Sequence, residues 1–328
     1  MQENPALNGV RAAAVAAVVA FHCGVPVALG GMIGVDLFFV LSGYLVTTIL
    51  REGRSLLEFF AGRIVRLCPA LFLMLAVYAA VAPWFLLDRN VTSDVLLAGL
   101  YVSDYSMAFW HEPLMLNHTW SLAVEAKFYL LWPFLIVATR SIKQEALLWV
   151  LGVAFLLATA WRVIDCYVWQ DWYRSYYRFD TRTSGLILGG MLAVMPWRPT
   201  GEQAAKIGRY SIYVLLVALI FFRFRHIGII AWGGIVVDLA AACLILSLIS
   251  GETPVSRFLS RHWMRHLGLW SYSIYLWHYP ITRALRGEWG PIPTFIVVGL
   301  LSIGLASLSY SYVEQPMRAL FRRRKATA

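Results

Sequence analysis

Apolar runs long enough to cross a lipid bilayer recur from one end of this chain to the other, and they restrict its folding more than any other feature. A spanning helix needs roughly 20 apolar residues, because its backbone must satisfy its own hydrogen bonds where no water reaches. Ten such runs are predicted, near residues 8–28, 31–50, 67–87, 119–139, 145–163, 183–197, 208–224, 228–250, 267–286 and 294–313. They occupy most of the 328 residues, leave short loops, and predict one all-α integral membrane protein, a polytopic bundle of about ten transmembrane helices in the cell membrane. Only 14% of the residues are charged, against about 25% in an average soluble domain, so a soluble globule is excluded. The 14 Trp, 16 Tyr and 18 Phe suit anchoring at the two lipid interfaces. The first run has no basic flank ahead of it, contains Arg11 and His22, and leads straight into the second, so it is expected to stay as a span rather than be cleaved.

The net charge of +10 does not point to nucleic acid, because the basic residues fall in small groups between apolar runs, where membrane orientation explains them. With the N-terminus in the cytosol, 17 of the 28 Lys and Arg residues fall in inside segments and nine in outside ones. That bias predicts both termini cytoplasmic, with residues 317–328 a basic tail whose Arg322, Arg323, Arg324 and Lys325 anchor to the membrane surface. Residues 88–118 are broken by Asp88, Arg89, Asp94, Asp104 and Glu112, which predicts an outer re-entrant or interfacial segment. Cys23, Cys68, Cys166 and Cys243 are widely spaced with no C-x-x-C pair, so neither a metal site nor a disulfide framework is indicated. Motifs for a P-loop, a Rossmann turn, a zincin helix and a nucleophile elbow are all missing.

Ionisable groups inside a span cost several kcal/mol, so each is a pointer to function. Arg11 and His22 are eleven residues apart, nearly three full turns, which puts them on one side of a helix and about 16 Å apart along its axis. Asp36, on the second span, is expected at the depth of His22, where its carboxylate would fix the imidazole tautomer and leave the other nitrogen as a base. The competing reading is a buried polar pair that only ties two helices together. Arg63 and Arg66, at i and i+3 in the loop before the third span, offer two guanidinium forks to phosphates, or else positive-inside anchoring. Glu125, a turn or two into the fourth span, is either an acid, base or sugar contact, or a structural partner for Lys127 or an arginine. His278 lies close to Pro280, which frees backbone carbonyls beside it, and reads equally as helix packing or ligand contact. Glu314 is expected to partner a cytoplasmic arginine. The loop from Tyr167 to Tyr177, with Trp169, Trp172, Tyr173 and Tyr176, is an interfacial belt or a stacking surface for a sugar.

Five ordered blocks make the chain similar to the acyltransferase-3 family of membrane acyltransferases, from Leu7 to Pro316. They are Arg11 with His22; Gly34-Val35-Asp36-Leu37-Phe38-Phe39 through Ser42-Gly43-Tyr44; Arg63 and Arg66 with Pro69; Trp120 to Glu125 with Phe128 to Pro133; and Ser271-Tyr272-Ser273 through His278-Tyr279-Pro280. The resemblance implies a single membrane acyltransferase domain over 1–328. It also implies transfer of an acyl group, usually acetyl, from cytoplasmic acyl-CoA to a hydroxyl of a carbohydrate or glycosylated acceptor. His22, Asp36, Arg11 and Glu125 would then be catalytic, Arg63 and Arg66 would hold the coenzyme A phosphates, and Trp120 and His278 would meet the acceptor. Asn8, Gly62 and Ala126-Lys127 depart from the family pattern, and the last leaves one carboxylate where two are common. Many relatives continue into a C-terminal esterase-like domain, whereas this chain ends a dozen residues after Pro316. The alternative from another class is a proton-coupled transporter or flippase relaying protons through His22, Asp36 and Glu125. A purely structural scaffold leaves so many intramembrane charges unexplained. Acceptor identity, acyl length and oligomeric state stay open.

Overall fold

The computed structural model describes residues 4–85, 90–285 and 287–327 and is all-α. The first half runs through α1 (Pro5–His22), α2 (Ile33–Arg51), α3 (Leu56–Phe85), α4 (Val91–Gly99), α5 (Ser103–Trp110), α6 (Trp120–Ala138) and α7 (Gln144–Trp169). The second half adds α8 (Trp172–Tyr177), α9 (Phe179–Val194), α10 (Gly201–Phe221), α11 (Gly234–Ile249), α12 (Pro254–Leu259), α13 (His262–Leu285), α14 (Pro291–Ser309) and α15 (Gln315–Thr327). The ten predicted runs fall on α1, α2, α3, α6, α7, α9, α10, α11, α13 and α14. Among the described residues eight helices are long and apolar enough to cross a membrane. The two runs outside that set are α9, only 16 residues long, and α13, which holds His262, Arg265, His266 and Arg283.

Helices α1, α2, α9 and α13 form the centre of the bundle. The α1–α2 register is set by glycine, since a side chain at Gly34 would collide with the carbonyl oxygen of Ala14. A Cβ at Gly43 would likewise meet the Leu186 carbonyl on α9, and one at Gly189 the Val40 carbonyl on α2. With no apolar driving force between helices in lipid, such close backbone approach is how spanning helices gain contact. On the other side α1 and α13 run the same way, with Asn8 against Gly268 at one end and His22 against His278 at the other.

Residues 90–119, the described part of the predicted interfacial segment, form two short helices and a 3₁₀ turn rather than a span; Asp88 and Arg89 lie outside the described residues. Asp94 is buried under the Tyr78 hydroxyl (2.6 Å), and Asp104 takes the Lys127 ammonium at 2.7 Å. A π-helical turn over Tyr310–Glu314 joins α14 to α15, where Glu314 accepts from Ser273 and pairs with Arg318 at 2.9 Å, the arginine partner expected for it. The side chains of Arg322 to Lys325 lie outside the described residues.

Candidate active site

His22 closes α1 and meets His278 of α13, Nδ1 to Nε2 at 2.9 Å. The network assigns the protons. His278 Nδ1 is 2.6 Å from the Tyr275 carbonyl oxygen, which only accepts, so His278 donates from Nδ1 and its neutral ring offers Nε2 as a lone pair. His22 therefore donates from Nδ1, which places the lone pair of its neutral ring on Nε2. Pro280 has no N–H for the Leu276 carbonyl four residues back, and His118 Nε2 donates to that oxygen at 3.2 Å. The freed carbonyl beside Pro280 thus seats a third histidine, whose ring lies edge-on to His278 with centroids 5.5 Å apart.

Asp36 does not orient His22. Its carboxylate accepts from Arg182 at 2.7 Å, on the α9 side of α2. The glycine contact explains the correction: with Gly34 against Ala14, Asp36 lies well below the last turn of α1 and faces another neighbour. It belongs to a ladder of buried charges. Asp238 accepts from Ser184 (2.7 Å) and Arg162 (3.4 Å), and Asp165 accepts from Arg178 (2.8 Å), Arg174 (3.1 Å) and Ser175 (2.8 Å). Asp180 takes the Arg178 fork, Trp161 (2.7 Å) and Tyr105 (3.1 Å). Charges buried in lipid must be paired, and here the pairing ties α2, α7, α9 and α11 together. Arg162, Arg178 and Arg182, counted as outside residues in the charge bias, are buried within the protein.

Three cavities follow one another through the bundle. At the basic end a cavity of about 640 Å³ is lined by Asn4, Arg11, Arg54, Arg63, Arg66 and Arg318, among others. Arg11, Arg63 and Arg66 also line the next, a throat of about 60 Å³ walled by Ser42, Glu125, Tyr129 and Tyr272. Val35 and Tyr275 are shared between the throat and a third cavity of about 410 Å³ that holds His22. Arg63 and Arg66 sit not in a loop but on the opening turns of α3, which begins at Leu56, so the helix fixes their spacing. Arg63 lies over the rings of Phe59 and Tyr129 at 5.3 and 5.5 Å. Among the described residues none of Arg11, Arg63 and Arg66 makes an ion pair, in contrast to the ladder around Asp36.

Glu125 faces the throat and accepts from Ser42 Oγ (2.6 Å) and Tyr129 Oη (3.0 Å). It does not pair with Lys127, which points the other way to Asp104 and to the Tyr101 carbonyl at 3.0 Å. At the far end the aromatic loop divides. Trp172, Tyr173, Tyr176 and Tyr177 line the His22 cavity together with Trp120 and Tyr279, while Tyr167 and Trp169 remain exposed. The structure thus groups His22 with Trp120 and, through the ring contact, His278; it groups Arg11 with Glu125, Arg63 and Arg66; and it sets Asp36 apart.

His118, Arg182, Ser42 and Tyr129 are the participants that sequence reasoning passed over. His118 lies two residues before Trp120, and an ionisable residue beside an aromatic at a span's edge is the signal the sequence offers. For Arg182 the only signal was its position one residue before an apolar run. The acyltransferase-3 family model, described as an acyltransferase domain, matches residues 4–311. The chain is 33% identical to the peptidoglycan O-acetyltransferase OatA of Listeria monocytogenes, over 96% of this chain and 56% of that protein. It is 31% identical to the O-acetyltransferase OatA of Staphylococcus aureus, over 96% of this chain and 57% of that one. The chain therefore spans little more than half the length of these relatives. No solved structure matches it.

Proposed function

The chain belongs to the acyltransferase-3 family of membrane acyltransferases, and from that premise we propose that it moves an acyl group, acetyl foremost, from a coenzyme A thioester to a hydroxyl of a carbohydrate. The observation that supports this most is the series of cavities, with Arg11, Arg63 and Arg66, which make no ion pair among the described residues, at one end and a histidine of assigned tautomer at the other. Arg63 and Arg66 grip the phosphates at the basic end, which faces the cytosol if both termini do. The narrow throat admits only a thin chain, the pantetheine arm, past Arg11. Ser42, Glu125 and Tyr129 give its amides hydrogen-bond partners. Arg11, about 16 Å from His22 along α1, positions the donor rather than the reacting carbonyl.

In the third cavity His22 Nε2 takes the proton of the acceptor hydroxyl as that oxygen attacks the thioester carbonyl. The tetrahedral intermediate collapses with loss of the thiolate, and the imidazolium returns the proton to sulfur. Ester and free coenzyme A are formed. His278 acts through His22 as a positioning residue, in the place expected of Asp36. Trp120 and the four aromatic residues of the loop give a sugar ring faces to stack on. The Listeria relative is named for O-acetylation of peptidoglycan, which supports a glycan acceptor here. A transporter's proton relay loses its middle member, because Asp36 faces Arg182.

The donor half is tested by Arg63→Ala/Arg66→Ala. Loss of two charge-assisted contacts is expected to raise the acetyl-CoA KM about tenfold or more and to remove the stabilisation against heat that coenzyme A gives the unaltered protein. An unchanged KM in a folded double variant would refute this placement of the donor.

A further inference from the structure

The cavity around His22 contains two arginines and, among the described residues, no carboxylate. Arg225 and Arg283 both line it, together with the aromatic cluster. Elsewhere in this half of the bundle Arg162, Arg174, Arg178 and Arg182 are all paired with aspartates. Arg283 has its Nε shielded from solvent with no hydrogen-bond partner, a donor that costs free energy until something accepts from it. Arg225 is held in the left-handed backbone region (φ 73°), which strains a residue with a Cβ. It is exposed at the cavity mouth, and its guanidinium lies over the Trp172 ring at 4.8 Å and near Phe224 at 5.9 Å, which holds it beside the aromatic wall.

We propose that Arg225 and Arg283 form a subsite for an anionic group on the acceptor, a carboxylate or a phosphate, that sets a nearby hydroxyl at His22 Nε2. The inference rests on the reading of this cavity as the acceptor's. It adds that the acceptor is an acidic glycan rather than a neutral one. Two positive charges lining one pocket with no ion pair among the described residues, one of them with a shielded Nε, favour an anion and disfavour a cation by the same field. The stacking rings read the sugar, and the arginines read its charge and so fix which hydroxyl faces the base.

The test uses the purified full chain in vesicles with acetyl-CoA and three matched disaccharides, one with a free carboxylate, one with that group as a neutral methyl amide, and one with a phosphate monoester in its place. For the unaltered protein kcat/KM is expected to be at least about tenfold higher for an acidic acceptor than for the amide, chiefly through KM, with the gap narrowing as salt rises. In Arg225→Gln/Arg283→Gln the ratio is expected to fall below about twofold, and Arg225→Lys/Arg283→Lys is expected to keep most of it, which separates lost charge from lost folding. Whether carboxylate or phosphate benefits identifies the source of the anion. Equal use of charged and neutral acceptors, or a preference that survives in the glutamine variant, would overturn the subsite and leave the acyltransferase reading standing. Failure of all three acceptors while acetyl-CoA still stabilises the protein would instead bring down the acceptor assignment, and the subsite with it.

Discussion

In the proposed mechanism His278 acts on the substrate only through His22. The Tyr275 carbonyl accepts from His278 and His278 accepts from His22, which in the proposed mechanism leaves His22 Nε2 to serve as the base. Removing the acceptor for His22 Nδ1–H frees the ring to adopt the wrong tautomer, so His278→Ala is expected to lower kcat about 10²-fold, within the range that general base catalysis contributes. His278→Gln, whose amide oxygen accepts from the same N–H, is expected to recover at least about a tenth of the unaltered rate. Equal losses in both, with folded protein, would mean that His278 only packs. His22 and Arg11 were legible in the sequence because an ionisable residue in an apolar run has few cheap explanations. The partner of His22 was not, since counting residues across a turn gives depth on a helix and not the face toward which a side chain is turned. Asp36 shows this plainly, being on the second span as expected but turned to Arg182.

The contact between α2 and α9 is the packing unit on which the buried charges depend. Gly43 and Gly189 bring the two backbones together, and the Asp36–Arg182 pair lies across the same interface. A methyl group at either glycine would have to displace a carbonyl of the opposite helix. Gly189→Ala is therefore expected to cost about 1–3 kcal/mol and to lower the thermal midpoint in detergent, with transfer activity falling as the folded fraction falls. A variant as stable as the unaltered protein would show that the helices are not in this contact. The ten helices were legible as apolar runs, but their ends were not. Helix α3 starts eleven residues before its run, because Arg63 and Arg66 are polar yet helical, and hydropathy stops where the lipid does. Helix α13 was found as an apolar run over 267–286 despite the charges at its ends.

Across the whole molecule, charge divides into two populations. Paired aspartates and arginines hold α2, α7, α9 and α11 together, while Arg11, Arg63, Arg66, Arg225 and Arg283, which make no ion pair among the described residues, line the cavities. Function is read from the second population, since cations gathered along a cavity without an ion pair invite an anion from outside. The sequence listed both kinds alike, and only three-dimensional pairing separates them. The central claim is that His22, at the far end of the throat, is the base that moves the acyl group. Its most direct test is acetyl transfer from acetyl-CoA to glycan by purified protein sealed in vesicles, comparing the unaltered chain with His22→Ala at matched protein levels. Transfer is expected to fall by about 10²-fold or more in the variant, while acetyl-CoA still protects it from heat, because the arginines proposed to hold the donor are untouched. Transfer at the unaltered rate in folded His22→Ala would contradict the account at its centre.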